Sequence, residues 1–432
     1  MILADDLTGA LDTGVQFAKR GTDVRVYPSL DNAVQDLRET GVDVLVINTD
    51  TRHVPAEEAR KAVTAAVSAF RDCAHFYKKT DSCLRGNIGA ELEAFMEATG
   101  CSLLPFLPAY PALKRTTRGG CQYLDGELLH QSPMALDPLN PVTGSFIPSI
   151  IGKQTKVPVR LVGTDLRGTD LEPGTEPRGT EPRGTDLTGT DLTGTILVFD
   201  GETPAHLEAA ARALRERGLL RVSAGCAGFA EALMEALPFG GGNANADIVA
   251  PVDKLPILVV TGSLNPVSIG QVEAARENNV PCFDVAEKDL LAEGWFGSEK
   301  ARSLAADCSR RLQQRGLAVL GTDLAGGIHA GGITTPPAPD NSRQIARQVA
   351  TGLGKIAQSV INETSPVHLV VFGGDTLLGI MKTLGYKYLR PLKEVYPGVV
   401  LAKGDSHLFV TKSGAFGDRG LISGLEDWLR GD

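Results

Sequence analysis

Residues 75–94 read HFYKKTDSCLRGNIGAELEA. A short apolar run, His75–Tyr77, gives way to a polar turn, and apolar residues then recur at helical spacing from Ile88 to Ala98. Strand, polar turn and helix in that order make the repeating unit of a parallel sheet covered by helices. The same alternation continues outward. Upstream lie the runs Val24–Tyr27 and Val42–Ile47 and the amphipathic stretch Ala56–Phe70; downstream lie Leu103–Leu107, Ile196–Phe199 and Leu219–Val222. A second series comprises Ile257–Val260, Leu317–Leu320, Val367–Phe372, Val399–Leu401 and Leu408–Val410. Helical patterns at Pro266–Glu277, Ser298–Gln314 and Ser342–Ile361 separate its first three runs. The expected fold is α/β in two domains, each a largely parallel sheet flanked by helices. Ligands of open α/β sheets sit beyond the carboxyl ends of the strands, so the active site is expected in the inter-domain cleft.

At 432 residues the chain exceeds one ordinary core, in keeping with two domains. The glycine- and asparagine-rich stretch 239–254, poor in apolar side chains, reads as the linker between domains 1–238 and 255–432. Within the first domain, residues 163–195 form a tandem repeat: GTDLR, GTDLEP, GTEPR, GTEPR, GTDLT, GTDLT. Units this short and this poor in apolar area cannot offset their ordering entropy, so the repeat reads as an expanded surface loop without catalytic role. Calcium binding is the sharper alternative, but each unit supplies few acids and arginine intervenes.

Composition removes several function classes. Hydrophobic residues make up 42% of the chain, which argues against global disorder. A formal charge of −9 lacks the basic excess of a nucleic-acid binder. No apolar stretch approaches the roughly 20 residues of a membrane span. The seven cysteines are scattered without a C-x-x-C pair, and the histidines never fall at i, i+4, so neither pattern supports a zinc site. An acidic N-terminus that does not read as an export signal, together with unpaired thiols, points to the cytoplasm.

Three clusters carry chemistry. The first, Asp5-Asp6-Leu7-Thr8-Gly9, presents two carboxylates before a helix; one suffices for an N-cap, so the second favours function. The second, Lys78–Asn87, gathers Lys78, Lys79, Thr80, Asp81, Ser82 and Arg85, the mixture of cations and hydrogen-bonding groups that an anionic, polyhydroxy ligand needs. Its bland reading is a solvated turn whose charges pair among themselves. Arg52 follows Val44–Asn48 at an equivalent strand end. The third comprises glycine turns at Thr261-Gly262-Ser263, Gly373-Gly374-Asp375-Thr376 and Lys412-Ser413-Gly414-Ala415-Phe416-Gly417. Glycine often serves only the turn, but three such turns in one domain, one with a lysine, favour a nucleotide phosphate site. No G-x-x-x-x-G-K-[ST] occurs. Gly352-Leu353-Gly354-Lys355-Ile356-Ala357 fits a dinucleotide pattern but falls inside a helical stretch and is set aside.

Together the segments ADDLTGALDTGVQFAKRG, VINTDTRHVPAEEA, YKKTDSCLRGNIGAELEA, PAYPALKRTTRGG, DPLNPVTGS, TGSLNPVS, FGGDTLLGIMKTLG and VTKSGAFG resemble the four-carbon acid sugar kinases, most nearly the D-threonate kinase branch. The resemblance implies a sugar-acid-binding N-terminal domain and a nucleotide-binding C-terminal domain. It implies transfer of the ATP γ-phosphoryl group, with Mg²⁺, to the C4 hydroxyl of D-threonate, D-erythronate or a 3-oxo-tetronate. Asp6, Arg52, Lys79, Thr80, Asp81 and Ser82 would contact the acid; Ser263, Gly373, Gly374, Asp375, Thr376 and Gly417 would contact ATP, beside Lys412 and Gly414 of the last turn. Asp6 or Asp81 would accept the hydroxyl proton, Lys79 and Arg85 would neutralise charge, and Arg52 would hold the carboxylate. No metal ligand is identifiable. A homo-oligomer is compatible with the sequence but not required by it. Three departures stand out: few residues precede ADDLTG, which implies a weakened first strand, and Cys83 and Cys226 occupy positions where a hydroxyl and a small residue are usual. A non-catalytic sugar-acid sensor is the competing reading, and it would not need the glycine turns; a dehydrogenase lacks a dinucleotide turn after a strand.

Overall fold

A computed structural model describes residues 1–37, 41–137, 140–166, 168–169, 194–237, 254–292, 294–323 and 339–431. Its backbone falls into two compact units, Met1–Gly242 and Asn243–Asp432. The expected linker 239–254 lies, apart from Lys254, outside the described residues, as does most of the repeat, 170–193. Among the described residues no helix is long and apolar enough to cross a membrane.

The first unit carries β1 (Ile2–Ala4), β2 (Val24–Tyr27), β3 (Val44–Asn48), β4 (Phe76–Lys79), β5 (Leu103–Leu107), β6 (Arg115–Arg118), β7 (Cys121–Leu124), β8 (Glu127–Leu128), β9 (Val159–Val162), β10 (Gly168–Thr169), β11 (Thr195–Phe199) and β12 (Val222–Gly225). Nine of them form one sheet in the order β10-β9-β11-β5-β12-β4-β1-β3-β2, parallel except for β10. Helices α1 (Leu7–Ala18), α2 (Leu30–Asp36), α3 (Ala56–Ala69), α4 (Ile88–Thr99), α5 (Ile147–Gly152), α6 (Pro204–Glu216) and α7 (Ala227–Ala236) connect the strands. Continuous apolar runs suit strands covered on both faces, and β3 and β11 are buried along their whole length. β1 has only three residues, yet it pairs with β3 on one side and β4 on the other, and all three are buried. β6, β7 and β8 form a small antiparallel sheet that the apolar-run reading does not anticipate, because their polar and apolar residues mix.

The second unit is built on β13 (Ile257–Thr261), β14 (Cys282–Val285), β15 (Leu317–Thr322), β16 (His368–Phe372), β17 (Arg390–Tyr396), β18 (Val399–Lys403) and β19 (Leu408–Lys412) in the order β14-β15-β13-β16-β19-β18-β17. The first five in that order are parallel; β18 and β17 run antiparallel at one edge. β17 escapes the sequence reading because an edge strand with Pro391 and a polar face shows no apolar run. Its helices are α8 (Pro266–Glu277), α9 (Glu287–Leu291), α10 (Glu299–Arg315), α11 (Pro339–Thr364), α12 (Gly374–Leu384) and α13 (Leu421–Arg430).

Gly352 and Gly354 lie within α11, away from any strand end. Their use is close packing: a Cβ on Gly354 would come within 2.9 Å of the Gly379 carbonyl oxygen in α12, and a Cβ on Gly379 within 2.4 Å of the Ala350 carbonyl oxygen. The two helices therefore cross backbone to backbone. Gly379→Ala is expected to destabilise the unit by about 1–3 kcal/mol through overpacking. Gly270→Ala in α8, where a Cβ meets nothing within 4 Å, should instead stabilise by roughly 0.4–1 kcal/mol. Urea midpoints at unchanged slope check both.

Candidate active site

β12, β4, β1 and β3 are neighbours in one parallel sheet, so the turns after them emerge along the same edge. After β1 come Asp5 and Asp6, after β3 comes Arg52, and after β4 come Thr80 to Arg85. Arg52 joins these turns. Its Nε donates to Asp5 Oδ2 at 2.8 Å, and its Nη2 donates to Asp5 Oδ1 at 3.1 Å and Asp6 Oδ1 at 2.7 Å. Asp81 Oδ1 lies 3.7 Å from the same nitrogen. Arg85 donates from Nε and Nη2 to Asp81 at 2.8 and 3.0 Å, and from Nη1 to Asp137 Oδ2 at 2.8 Å. Burial alone would raise the carboxyls of Asp5 and Asp81. The Arg52 charge and its hydrogen bonds instead hold Asp5 below the ordinary carboxylate value, and Arg85 with Arg52 drives Asp81 far below it.

Asp6 does cap α1: Oδ1 accepts from the Gly9 N–H at 3.1 Å, and Oδ2 accepts from the Thr8 hydroxyl at 2.6 Å. The cap and the ion pair with Arg52 use the same carboxylate, so the two readings of this aspartate coexist. Lys79 is 3% exposed, and its Nζ lies 2.8 Å from where a Gly9 Cβ would stand. Among the described residues this ammonium has no hydrogen-bond or ion-pair partner. Lys78, by contrast, points into the unit, where its Nζ meets Glu91 Oε2 of α4 at 2.6 Å and the Lys79 carbonyl at 2.9 Å. Thr80 ties β4 to β12 through the Gly225 carbonyl, and the Ser82 carbonyl accepts from Gln122. Cys83 is buried, and Cys226 Sγ donates to the Ala109 carbonyl at 3.0 Å.

Several partners here were not legible beforehand. Asp137 reaches Arg85 across 52 residues of chain. His53, beside Arg52, pairs through Nδ1 with Asn140. Burial, then the Arg52 and Arg85 charges, pushes its imidazole down to about 4, which keeps it neutral at physiological pH. Glu91 had a signal: it stands among Ile88, Leu92 and Phe95 on the buried side of α4, where an acid requires a buried cation.

In the second unit the three glycine turns converge. The Gly262 N–H donates to Thr376 Oγ1 at 3.2 Å, joining the β13 turn to the first turn of α12. The Gly373 N–H donates to the Lys412 carbonyl at 2.9 Å, joining α12 to the end of β19. Gly373 and Gly417 adopt φ of 96° and 82°, the left-handed region that favours glycine. A Cβ on Gly414 would strike Ser263 Oγ at 2.6 Å. Among the described residues the backbone N–H groups of Gly374, Thr376, Gly414, Ala415 and Gly417 find no acceptor, which leaves a nest of donors suited to phosphate oxygens. Lys412, expected among the phosphate contacts, is turned inward: it is 1% exposed and donates to Ser268 Oγ at 2.9 Å and to the Ser413 and Gly414 carbonyls at 3.2 and 3.1 Å. Burial pushes its ammonium down to about 7. Asp375 sits in the first turn of α12.

Removing Arg52 would leave Asp5 buried without its cation. Arg52→Met is expected to cost about 3–5 kcal/mol at pH 7, and Arg52→Lys is expected not to restore the stability fully because it lacks the two-pronged geometry. The Asp5 pKa is depressed in the fold, so its stabilisation is complete above the unfolded carboxyl value and is lost as pH falls through the folded one. In wild type this contribution is therefore level from pH 7 to 4. In Arg52→Met, burial without the guanidinium raises the Asp5 carboxyl instead, so the variant's Asp5 takes up a proton in the same range, and the gap between the two proteins in urea titrations should narrow as pH is lowered from 7 toward 4.

Comparison with known proteins agrees with the division into two units. Residues 1–233 match the family model of a sugar-binding N-terminal domain, and residues 258–422 that of a nucleotide-binding C-terminal domain. The chain is 29% identical to a D-threonate kinase of Salmonella typhimurium, covering 96% of this chain and 95% of that one. It is 28% identical to a D-erythronate kinase of Heliobacterium modesticaldum, covering 99% and 96%. A 3-oxo-tetronate kinase of Pseudomonas fluorescens is 27% identical over 98% and 95%. A crystal structure from Salmonella typhimurium LT2 shares the fold with a TM-score of 0.69 at 22% identity, covering 100% of this chain and 98% of that one. By its two domains and these relatives over nearly their full length, the chain belongs to the four-carbon acid sugar kinase family.

Proposed function

We propose that the protein phosphorylates the C4 hydroxyl of a four-carbon sugar acid with ATP, the acid being D-threonate, D-erythronate or a 3-oxo-tetronate, the substrates named for its relatives. The observation that carries this reading is the Lys79 ammonium, buried beside Asp6 and, among the described residues, engaged in no hydrogen bond or ion pair. A buried cation is costly unless paired, so an anionic ligand is its natural partner. Arg52 has committed Nε and Nη2 to aspartates and keeps Nη1 to hold a substrate carboxylate. Thr80 and Ser82 follow Lys79 in the same turn and would offer their hydroxyls to the acid.

Asp6 is the favoured proton acceptor. Its side chain is 18% exposed against 10% for Asp81, and Asp81 is held far down by two arginines, which makes it a poor base. In the proposed step the C4 oxygen loses its proton to Asp6 and bonds to the γ-phosphorus as the bond to ADP breaks. Lys79 offsets the developing charge directly. Arg85, each of whose three nitrogens donates to Asp81 or Asp137, contributes by fixing Asp81. The ATP phosphates would lie on the backbone N–H groups of Gly374, Thr376, Gly414 and Gly417, with Ser263, Gly373 and Asp375 at the margin. No cluster of three acidic, histidine or cysteine side chains among the described residues builds a metal cage. Mg²⁺ in this reading is held largely by the nucleotide, where it would neutralise phosphate charge. ATP as donor is in keeping with a reaction in the cytoplasm. The sensor reading gives the donor nest of the second unit no purpose.

A coupled ADP-release assay with Mg-ATP against a panel of four-carbon aldonates and 3-oxo acids tests the proposal. Turnover should depend on one acid and fall by about 10²–10⁴-fold in Asp6→Asn, the range for loss of a general base. Gly374→Trp should abolish ATP binding. Tight acid binding without any ATP binding would instead establish the sensor.

A further inference from the structure

We infer that Lys412 is a positioning residue for the nucleotide: its ammonium shapes the 413–417 turn from inside, and the phosphates meet the turn's backbone rather than the lysine. The inference rests on the ATP-kinase reading above and deepens it.

The geometry of Lys412 is that of an internal tie. The ammonium donates to three oxygens, Ser268 Oγ and the Ser413 and Gly414 carbonyls. Its Nζ also lies 4.3 Å from the centroid of the Phe372 ring. No carboxylate pairs with it among the described residues. Ser268 in turn donates to the Gly414 carbonyl at 2.9 Å, and three residues along α8 Gln271 donates to the Phe416 and Asp418 carbonyls at 3.1 and 2.8 Å. The carbonyls of Ser413, Gly414, Phe416 and Asp418 are thus all drawn toward α8 and Lys412. A peptide whose carbonyl is held on one side presents its N–H on the other, and the N–H groups of Gly414, Ala415 and Gly417 are the ones without an acceptor among the described residues.

Lys412 also links the other two turns. Its own carbonyl accepts from Gly373, and Phe372, under its ammonium, immediately precedes that glycine. Ser268, its first partner, lies in the first turn of the helix that follows Ser263. Lys412 therefore joins the three glycine turns, the 413–417 turn and α8 through its side chain and Gly373 through its backbone carbonyl, and its ammonium faces inward in doing so. A lysine that touched phosphate directly would need its ammonium at the surface of the nest.

The test uses the full chain and Mg-ATP as the probe, with binding measured by calorimetry and ADP release measured with whichever acid turns over. Lys412→Met, which keeps length and removes the donors, should weaken ATP binding by about tenfold or more, on the scale of lost charge-assisted hydrogen bonds. At saturating ATP its kcat should stay within about threefold of wild type, the signature of lost ground-state placement. Ser268→Ala, which cannot reach a nucleotide held by the turn, should weaken ATP binding in the same direction by about two- to fivefold, and the double variant should show less than the sum of the two effects. A purely structural lysine would lower the melting temperature and leave ATP affinity unchanged, which overturns the inference. So does a Lys412→Met variant whose kcat collapses at saturating ATP while Ser268→Ala binds as wild type, the pattern of direct phosphate contact. Should Lys412→Met fail to fold, the Ser268→Ala affinity decides alone. Wild-type protein that binds no ATP refutes the kinase reading itself, a result distinct from either.

Discussion

Arg52 is the constraint from which the first unit's site is built. Its guanidinium is shared between Asp5 and Asp6 after β1 and approaches Asp81 after β4, while its own backbone leaves β3. Three strand ends are thereby locked to one planar group whose geometry tolerates little displacement. Arg85 extends the lock to Asp137, and Lys78 with Glu91 anchors the base of the β4 turn inside the unit. With so many charges mutually satisfied, the group left over acquires meaning. Lys79 is adjacent in sequence to Lys78 but, as strand alternation requires, faces the opposite side of the sheet, and there, among the described residues, it makes no hydrogen bond or ion pair.

The second unit solves a related problem with the opposite economy. Its proposed phosphate donors are backbone N–H groups, which cannot be substituted and can only be aimed. Aiming is done from beneath, by Lys412, Ser268 and Gln271, all three almost wholly buried. A charged residue in a glycine-rich turn is easily read as a ligand contact. Here burial shows that the charge faces the protein's own carbonyls.

Much of this was legible in the sequence because parallel strands buried on both faces appear as uninterrupted apolar runs, and the polar clusters fall at their ends. Val44–Ile47, Ile196–Phe199 and Leu369–Phe372 are of this kind. What escaped detection was half-buried or remote. β14 and β17 lie at sheet edges and carry polar residues, so they show no run. Asp137 and Asn140 come to Arg85 and His53 through chain closure, which no local pattern encodes. The inward turn of Lys412 was hidden for a different reason: motif spacing locates a side chain's Cα and not the direction it takes. The signal was available in α8, where Ser268 and Gln271, three residues apart, occupy positions facing the interior and imply a polar core that something must satisfy.

The order of the first sheet has a consequence for how this chain can change over time. The strands that lead into Asp6, Arg52 and Lys79 are β1, β3 and β4, whereas β10 and β11, which flank residues 170–193 of the repeat in sequence, belong to the far side of the sheet order. The chain leaves that edge at Thr169 and rejoins the sheet at Thr195. Lengthening such a connection by whole units adds closure entropy of only about 0.6 kcal/mol per doubling. Copy-number slippage in the encoding DNA would thus go almost unseen by selection on catalysis, and the same segment is a natural seam for grafting an affinity tag or a reporter domain.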